Sequence, residues 1–201
     1  MTEATPAARP VAQRHIGVLA LQGGIAEHLA MLDRIGATPS RVRTPADLAG
    51  PDGRVLDGIV LPGGESSTIT RLLRIFGLAD PLRDALLAGL PALATCAGMI
   101  TLAAGIADPA PGQRSLGVLD ITVERNAFGA QVASEETLVD TVDGPVRAAF
   151  IRAPIVSRVG PGVEVIAEHR GRIVGVRQGT ITAVAFHPEL ADDATLHHRL
   201  L

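Results

Sequence analysis

One cysteine occurs in the chain, Cys96, in the run ALATCAGMITLAAG, where an apolar strand-like stretch gives way to a helix-like one. A thiol on such a corner projects from the carboxyl edge of a sheet. Its small neighbours, Ala94, Ala97 and Gly98, would let backbone amides approach a reacting carbonyl. The corner also sets sulfur near the positive end of a helix dipole and its unpaired N–H groups, both of which favour the attacking thiolate. The competing account of Cys96 is a small hydrophobe packed between strand and helix, which free cysteines often are.

A cysteine nucleophile needs a base to take its proton and later return one to a leaving amine, and the base needs a carboxylate on its other ring nitrogen. The stretch from Ile181 to Phe186 ends in His187-Pro188-Glu189. Residues two apart in extended backbone point the same way, so His187 and Glu189 would face one place, with Pro188 fixing the chain between them. A plain turn with a solvated carboxylate would read the same. The other histidines compete less well: His15 follows an N-terminal arm, His28 falls within a helical pattern, His169 sits in a hairpin turn, and His197 and His198 are near the end of the sequence. Each of these is expected to be a surface or helix-packing residue.

The third feature is Leu61-Pro62-Gly63-Gly64-Glu65-Ser66-Ser67, which follows an apolar run and opens a helix. Consecutive glycines expose amides, and N–H donors from Gly64 and Ala97 would suit the oxyanion of a tetrahedral intermediate. Phosphate binding is the competing use of a Gly-rich turn. The segment has neither the GK[ST] ending of a nucleotide P-loop nor a dinucleotide fingerprint.

The elements that must position these groups follow from hydrophobic period. Ile16 to Leu21 reads as a strand, followed by a helix carrying Ile25, Leu29, Leu32 and Ile35 and closed by Gly36. Pro39 to Val42 begins a second strand, and Pro45 to Gly53 is a loop with room for one helical turn. Asp57 to Leu61 is a buried-type strand; Ser66 or Ser67 caps the next helix, with Ile69, Leu72, Leu73 and Phe76 on one face. Pro81 to Leu90 reads as a helix, Pro91 to Thr95 as a strand, and Gly98 to Ala107 as a helix. Strands alternating with helices imply right-handed parallel crossovers, hence an α/β fold with an open, mostly parallel sheet flanked by helices on both faces. Further on, Glu164 to Glu168, Ile173 to Arg177 and Ile181 to Phe186 are separated by turn-sized gaps and should form an antiparallel meander.

The bulk properties restrict the function classes. With 201 residues, 47% of them apolar, the chain can bury one substantial core, and residues 15–201 are expected to form a single domain behind a flexible extension at 1–14. The net charge of −3, the lack of a basic block and the absence of Trp and Tyr disfavour nucleic acid as a partner. Apolar runs are too short to cross a bilayer, and the first residues lack the apolar segment of a secretory signal. One cysteine can form no intramolecular disulfide, which fits a reducing compartment such as the cytoplasm.

Together, and in this order, PGGESS, TCAG and FHPE resemble the class I, or triad, glutamine amidotransferases. IGVLALQGG with Glu27-His28, VERNAFG at 123–129, FIRAP at 150–154 and EHRGRIVGVRQG at 168–179 are similar to the glutaminase subunits of pyridoxal 5′-phosphate synthase. The similarity covers about residues 15–195. It implies a flavodoxin-like class I amidotransferase fold and hydrolysis of L-glutamine to L-glutamate and ammonia through a cysteine thioester. It also implies transfer of the ammonia to a synthase subunit in a hetero-oligomeric ring complex, with no cofactor and no metal. Carried over by position, Cys96 is the nucleophile, His187 the base and Glu189 its orienter; Gly64, Glu65, Ser66, Arg125, Ile151 and Arg152 contact glutamine; and Gln22-Gly23 resembles a segment that responds to docking.

The chain departs from the family pattern at a few positions. Ala94 stands where the elbow usually has Gly, and a positive φ there would cost about 1 kcal/mol. Ala130 and Ala133 replace the usual Arg and Asp. The competing functions are a glutaminase serving another synthase, a catalytically silent subunit of the same fold, and a hydrolase of another small molecule.

Overall fold

A computed structural model describes residues 14–49, 53, 55–125, 127 and 135–201. Residues 1–13 of the expected extension, and Ala130 and Ala133, lie outside the described residues.

The chain alternates at first as its apolar periods require. Strand β1 (His15–Leu19) leads to helix α1 (Ile25–Arg34) and β2 (Thr38–Val42), with a 3-10 turn at Pro45–Leu48 in the following loop. Then come β3 (Gly58–Leu61), α2 (Ser66–Ile75), α3 (Ala79–Leu87), β4 (Ala92–Thr95) and α4 (Ala97–Leu102). Strands β1, β3 and β4 are buried at every position. That is the pattern of parallel strands covered on both faces, and it explains why their sequences are continuous rather than alternating apolar runs. Helix α1 packs through His28, Met31 and Leu32, and α2 through Ile69 and Leu73 among others. The cap of α2 is Glu65, whose carboxylate accepts from Thr68 N at 2.8 Å; Ser66 and Ser67 already lie inside the helix.

The helix expected at 98–107 ends at Leu102. Ala103 leaves the helical region (φ −57°, ψ 146°) and begins β5 (Ala103–Ile106), which pairs in parallel with β6 (Leu119–Glu124). Pairing with a distant strand overrides the helix preference of the Ala-rich run.

Beyond β6 the chain is largely strand: β7 (Glu135–Thr141), β8 (Gly144–Phe150), β9 (Ile155–Val159), β10 (Glu164–His169), β11 (Arg172–Gln178) and β12 (Ile181–Val184). The expected meander is present, β10 to β11 to β12, all antiparallel. The antiparallel region extends beyond it through the β7–β8 hairpin and through β9, which bridges β6 and β11. The main sheet runs β2-β1-β3-β4-β12-β11-β10-β7-β8. It is parallel from β2 through β12 and antiparallel from β12 onward. Strand β12 joins the two halves: it pairs with β4 in parallel, Ile181 opposite Ala92 and Val184 opposite Thr95, although they lie far apart in the sequence. Among the described residues no helix is long and apolar enough to cross a membrane.

Candidate active site

Cys96 follows β4 directly and caps α4, with its N–H donated to Val184 O at 2.8 Å across the β4–β12 pair. Its backbone stands at φ 48°, ψ −105°, a region non-glycine residues rarely occupy. The strain of the elbow therefore falls on the cysteine itself. Ala94 lies within β4, fully buried and without a positive φ, so the expected penalty at that position does not arise. Tight packing is carried by Gly98, where a Cβ would come 2.1 Å from Leu61 O.

His187 arrives from β12. The strand ends at Val184, and Ala185 and Phe186 continue fully buried, Phe186 against Phe150 with ring centroids 5.5 Å apart. His187 then exchanges backbone hydrogen bonds with Ala149 at 2.9 and 3.2 Å. Pro188 turns the chain into a 3-10 turn at Glu189–Ala191. The turn, rather than an extended run, brings the Glu189 carboxylate back beside the ring, and His187 Nδ1 lies 2.7 Å from Glu189 Oε1.

Burial by itself would lower the pKa of His187. The hydrogen bond to Glu189 and the neighbouring Cys96 sulfur, together with the charges of both groups, outweigh burial and raise it to about 10. Sulfur, imidazole and carboxylate thus stand together on one side of a cleft. Cys96 Sγ also lies 4.0 Å from Ile151 O.

The cleft opens over these groups. The turn into α1 contributes Gln22, Gly23, Gly24 and Glu27; the β3–α2 turn contributes Gly63, Gly64 and Glu65; and the segment after β8 contributes Ile151 and Arg152. Cys96, His187, Glu189 and Leu190 complete its wall. The two glycine turns are locked together: Gly24 N donates to Gly63 O (3.1 Å) and Glu65 N to Gln22 Oε1 (2.7 Å). Gly23 has φ 108°, and a Cβ there would fall 1.8 Å from Gly63 O. A Cβ on Gly63 would fall 2.1 Å from His187 Cε1, so the imidazole rests directly on this turn.

Of the residues singled out from the sequence, Cys96, His187, Glu189, Gly64, Glu65, Ile151 and Arg152 meet at the cleft. Arg125 stands one step back. Its guanidinium is 3.8 Å from Glu65 Oε1 and donates to Gln113 Oε1 at 2.7 Å. Burial would raise the Glu65 pKa, but hydrogen bonds from Ser67 and Thr68 and the Arg125 charge hold it below the usual value. Ser66 is buried and its hydroxyl faces Gln113 Nε2 at 3.0 Å. Ala97 is buried behind the cysteine, outside the cleft wall.

Three histidines assigned above to surface or helix packing stand elsewhere, and one of them, His15, is buried on β1. His28 is fully buried, with Nε2 3.2 Å from Thr95 Oγ1 and 3.4 Å from Glu189 Oε1. His197 is equally buried, its Nε2 2.9 Å from His28 Nδ1. The available signal for His28 was its place in the first turns of an amphipathic helix that follows a strand, which points toward the carboxyl edge of the sheet. Nothing local marked His197. Among the described residues, no group of three or more His, Cys, Asp or Glu side chains is arranged to hold a metal ion.

Comparison with known proteins gives a consistent result. The model of the SNO glutamine amidotransferase family matches residues 18–201. The pyridoxal 5′-phosphate synthase subunit PdxT of Cutibacterium acnes is 54% identical over 195 residues, covering 92% of this chain and 94% of that protein. The subunit of the same name from Corynebacterium glutamicum is 51% identical over 192 residues, covering 92% and 94%. Among solved structures, a glutamine amidotransferase superposes with a TM-score of 0.85 at 45% identity, over 92% of this chain and 96% of that one. PurLQS from Thermotoga maritima shares the fold, with a TM-score of 0.64 at 18% identity over 93% and 96%.

Proposed function

The chain belongs to the SNO glutamine amidotransferase family, and from that membership we infer that it hydrolyses L-glutamine as the ammonia-supplying subunit of a pyridoxal 5′-phosphate synthase. Residues 15–201 act as one glutaminase domain. The single observation that carries the reading is that Cys96, His187 and Glu189 line one cleft, with His187 Nδ1 2.7 Å from Glu189 Oε1.

In the proposed mechanism Cys96 Sγ attacks the carboxamide carbon of glutamine. The C=O π pair moves to oxygen, where N–H groups of Gly64 and Ala97 receive the charge. His187, an imidazolium held by Glu189, gives its Nδ1-opposed proton to the amide nitrogen; the C–N bond breaks and ammonia leaves, with a thioester on Cys96. Water then adds to the thioester while neutral His187 takes its proton, and collapse releases glutamate and the thiolate. A raised His187 pKa suits this cycle, since the ring starts as the acid that the first leaving group needs. Glu65, with Arg125 beside it, and Arg152 give the cleft both signs of charge, which matches the ammonium and carboxylate of an amino acid. Ser66 and Ile151 complete the glutamine contacts in this proposal.

The partner is a synthase subunit that consumes the ammonia. Its docking on the segment 22–24 would reset the turn at Gly63 and Gly64, because the two are joined by the Gly24–Gly63 and Gln22–Glu65 hydrogen bonds. The complex would be a hetero-oligomeric ring in the cytoplasm, several copies of this chain capping the synthase.

The test mixes the purified chain with a candidate synthase subunit and follows ammonia and pyridoxal phosphate. Glutamine-dependent formation of both is expected, with weak hydrolysis by the chain alone. Cys96→Ala should abolish ammonia release while leaving the thermal melt in place; unchanged turnover would remove Cys96 from the chemistry.

A further inference from the structure

The mechanism above uses one face of the Glu189 carboxylate and leaves unexplained why two fully buried imidazoles stand behind it. His28 projects from the first turns of α1, His197 from the 3-10 turn at His197–Leu200, and neither is exposed. Their rings are 5.2 Å apart and tilted by 41°, so the short Nδ1 to Nε2 approach of 2.9 Å is a hydrogen bond rather than a stack.

Proton counting fixes its direction. An ionised carboxylate only accepts, so at 3.4 Å from Glu189 Oε1 the His28 Nε2 position is the one that should carry hydrogen. The branch with ordinary hydrogen-bond geometry runs to Thr95 Oγ1 at 3.2 Å, and Glu189 Oε1 is the longer, second branch. His28 Nδ1 is then a lone pair, and His197 Nε2 must donate to it. His197 Nδ1 is left without a partner among the described residues, as a lone pair. The opposite assignment sets a lone pair of His28 against the carboxylate and leaves a buried N–H of His197 without an acceptor, the more expensive fault. The groups facing His28 are Thr95 of β4, Glu189 and His187 of the turn after β12, and His197; His198, Asp193 and Arg34 act on His197. Burial first, then the neighbouring histidines, holds His28 neutral, and burial does the same for His197.

The carboxylate needs this second donor. Glu189 Oε2 has no hydrogen-bond partner among the described residues, so Oε1 bears the whole task of orientation. The last torsion of a glutamate is soft. One donor, His187 Nδ1, fixes a distance; a second donor approaching from α1 fixes the rotation. The same Thr95 hydroxyl accepts Gly63 N–H at 3.0 Å, which ties this back wall to the turn beneath the catalytic imidazole.

We propose that His28, held in one tautomer by His197, is a positioning residue of glutamine hydrolysis that donates Nε2–H to Glu189 and so keeps the carboxylate where it orients His187. The inference rests on the reading of Cys96, His187 and Glu189 given under the proposed function. His28 touches neither substrate nor sulfur, and its effect passes through Glu189.

The experiment measures steady-state glutaminase kinetics of the full chain with its synthase subunit. His28→Leu keeps the bulk and removes the donor; kcat should fall on the order of tenfold to a hundredfold, as small misplacements in active sites do, with KM within about twofold. His28→Gln, whose amide can donate to Glu189 and accept from His197, should recover most of that loss. In a Glu189→Gln background the same His28→Leu change should produce no further fall, because the group it acts through is already altered. A kcat for His28→Leu within about twofold of the wild type, or an equal fall in both backgrounds, overturns the proposal. Should His28→Leu fail to fold, His28→Asn decides: its shorter amide cannot reach Glu189, and a folded His28→Asn with wild-type kcat overturns it equally. Cys96→Ala separates the two claims, since an inert Cys96→Ala with an unaffected His28→Leu defeats only the role of His28.

Discussion

Gly63 carries no side chain because the site leaves no room for one: the position of its missing Cβ is 2.1 Å from His187 Cε1. Gly63→Ala should therefore push the imidazole off its line and lower kcat on the order of a hundredfold while the melting temperature moves little. Wild-type turnover in that variant would show that the ring can sit elsewhere and still work. The residues legible in the sequence were those whose roles are declared locally. Cys96 stands at a strand-to-helix corner, and His187 and Glu189 are two apart in one run. His28 was not legible, because what gives it meaning is contact with Thr95, Glu189 and His197, each from a different part of the chain. Ala94 was read as a point of strain for the converse reason. The elbow does require a positive φ, but the backbone puts it on Cys96, two residues later.

At the scale of elements, α4 packs tightly on β3: a methyl group on Gly98 would meet Leu61 O at 2.1 Å. Gly98→Ala should force α4 away from β3 and destabilise the fold by about 1–3 kcal/mol, the usual range for overpacking, as measured by urea unfolding. An unchanged midpoint would mean that the helix shifts freely, which its buried environment argues against. The parallel strands and the helices between them could be read from the sequence because continuous apolar runs and 3.6-residue periods are set by neighbours along the chain. Strands β5 to β9 were harder. Ala103–Ile106 has no strand-like composition of its own and becomes extended only by pairing with β6. The β7–β8 hairpin did carry a signal, Asp143-Gly144 where the turn passes into β8 with Gly144 at φ 107°, and β6 alternates buried and less buried positions along LDITVE.

For the molecule as a whole, buried imidazoles set the pH range of stability. His28 and His197 have folded pKa values below the ordinary 6.5, the former well below and the latter at about 4, both chiefly through burial. An unfolded chain binds the protons that these rings refuse, so their contribution is present above about pH 6.5 and is lost as pH falls toward about 4. His187 works in the other direction. Raised to about 10, it contributes fully below about pH 6.5 and loses that contribution as pH rises toward 10. Melting temperature should therefore peak near neutrality, and His28→Leu should flatten the acid flank; an acid flank unaltered by that change would place its origin in other groups. Strand β12 gives the architecture one more property. It lies between β4 and β11, it carries the chain to His187, and it is the last strand of the described chain. During synthesis on a ribosome the thiol emerges long before the imidazole, so a polypeptide cut short of β12 lacks the base that the proposed chemistry at Cys96 requires.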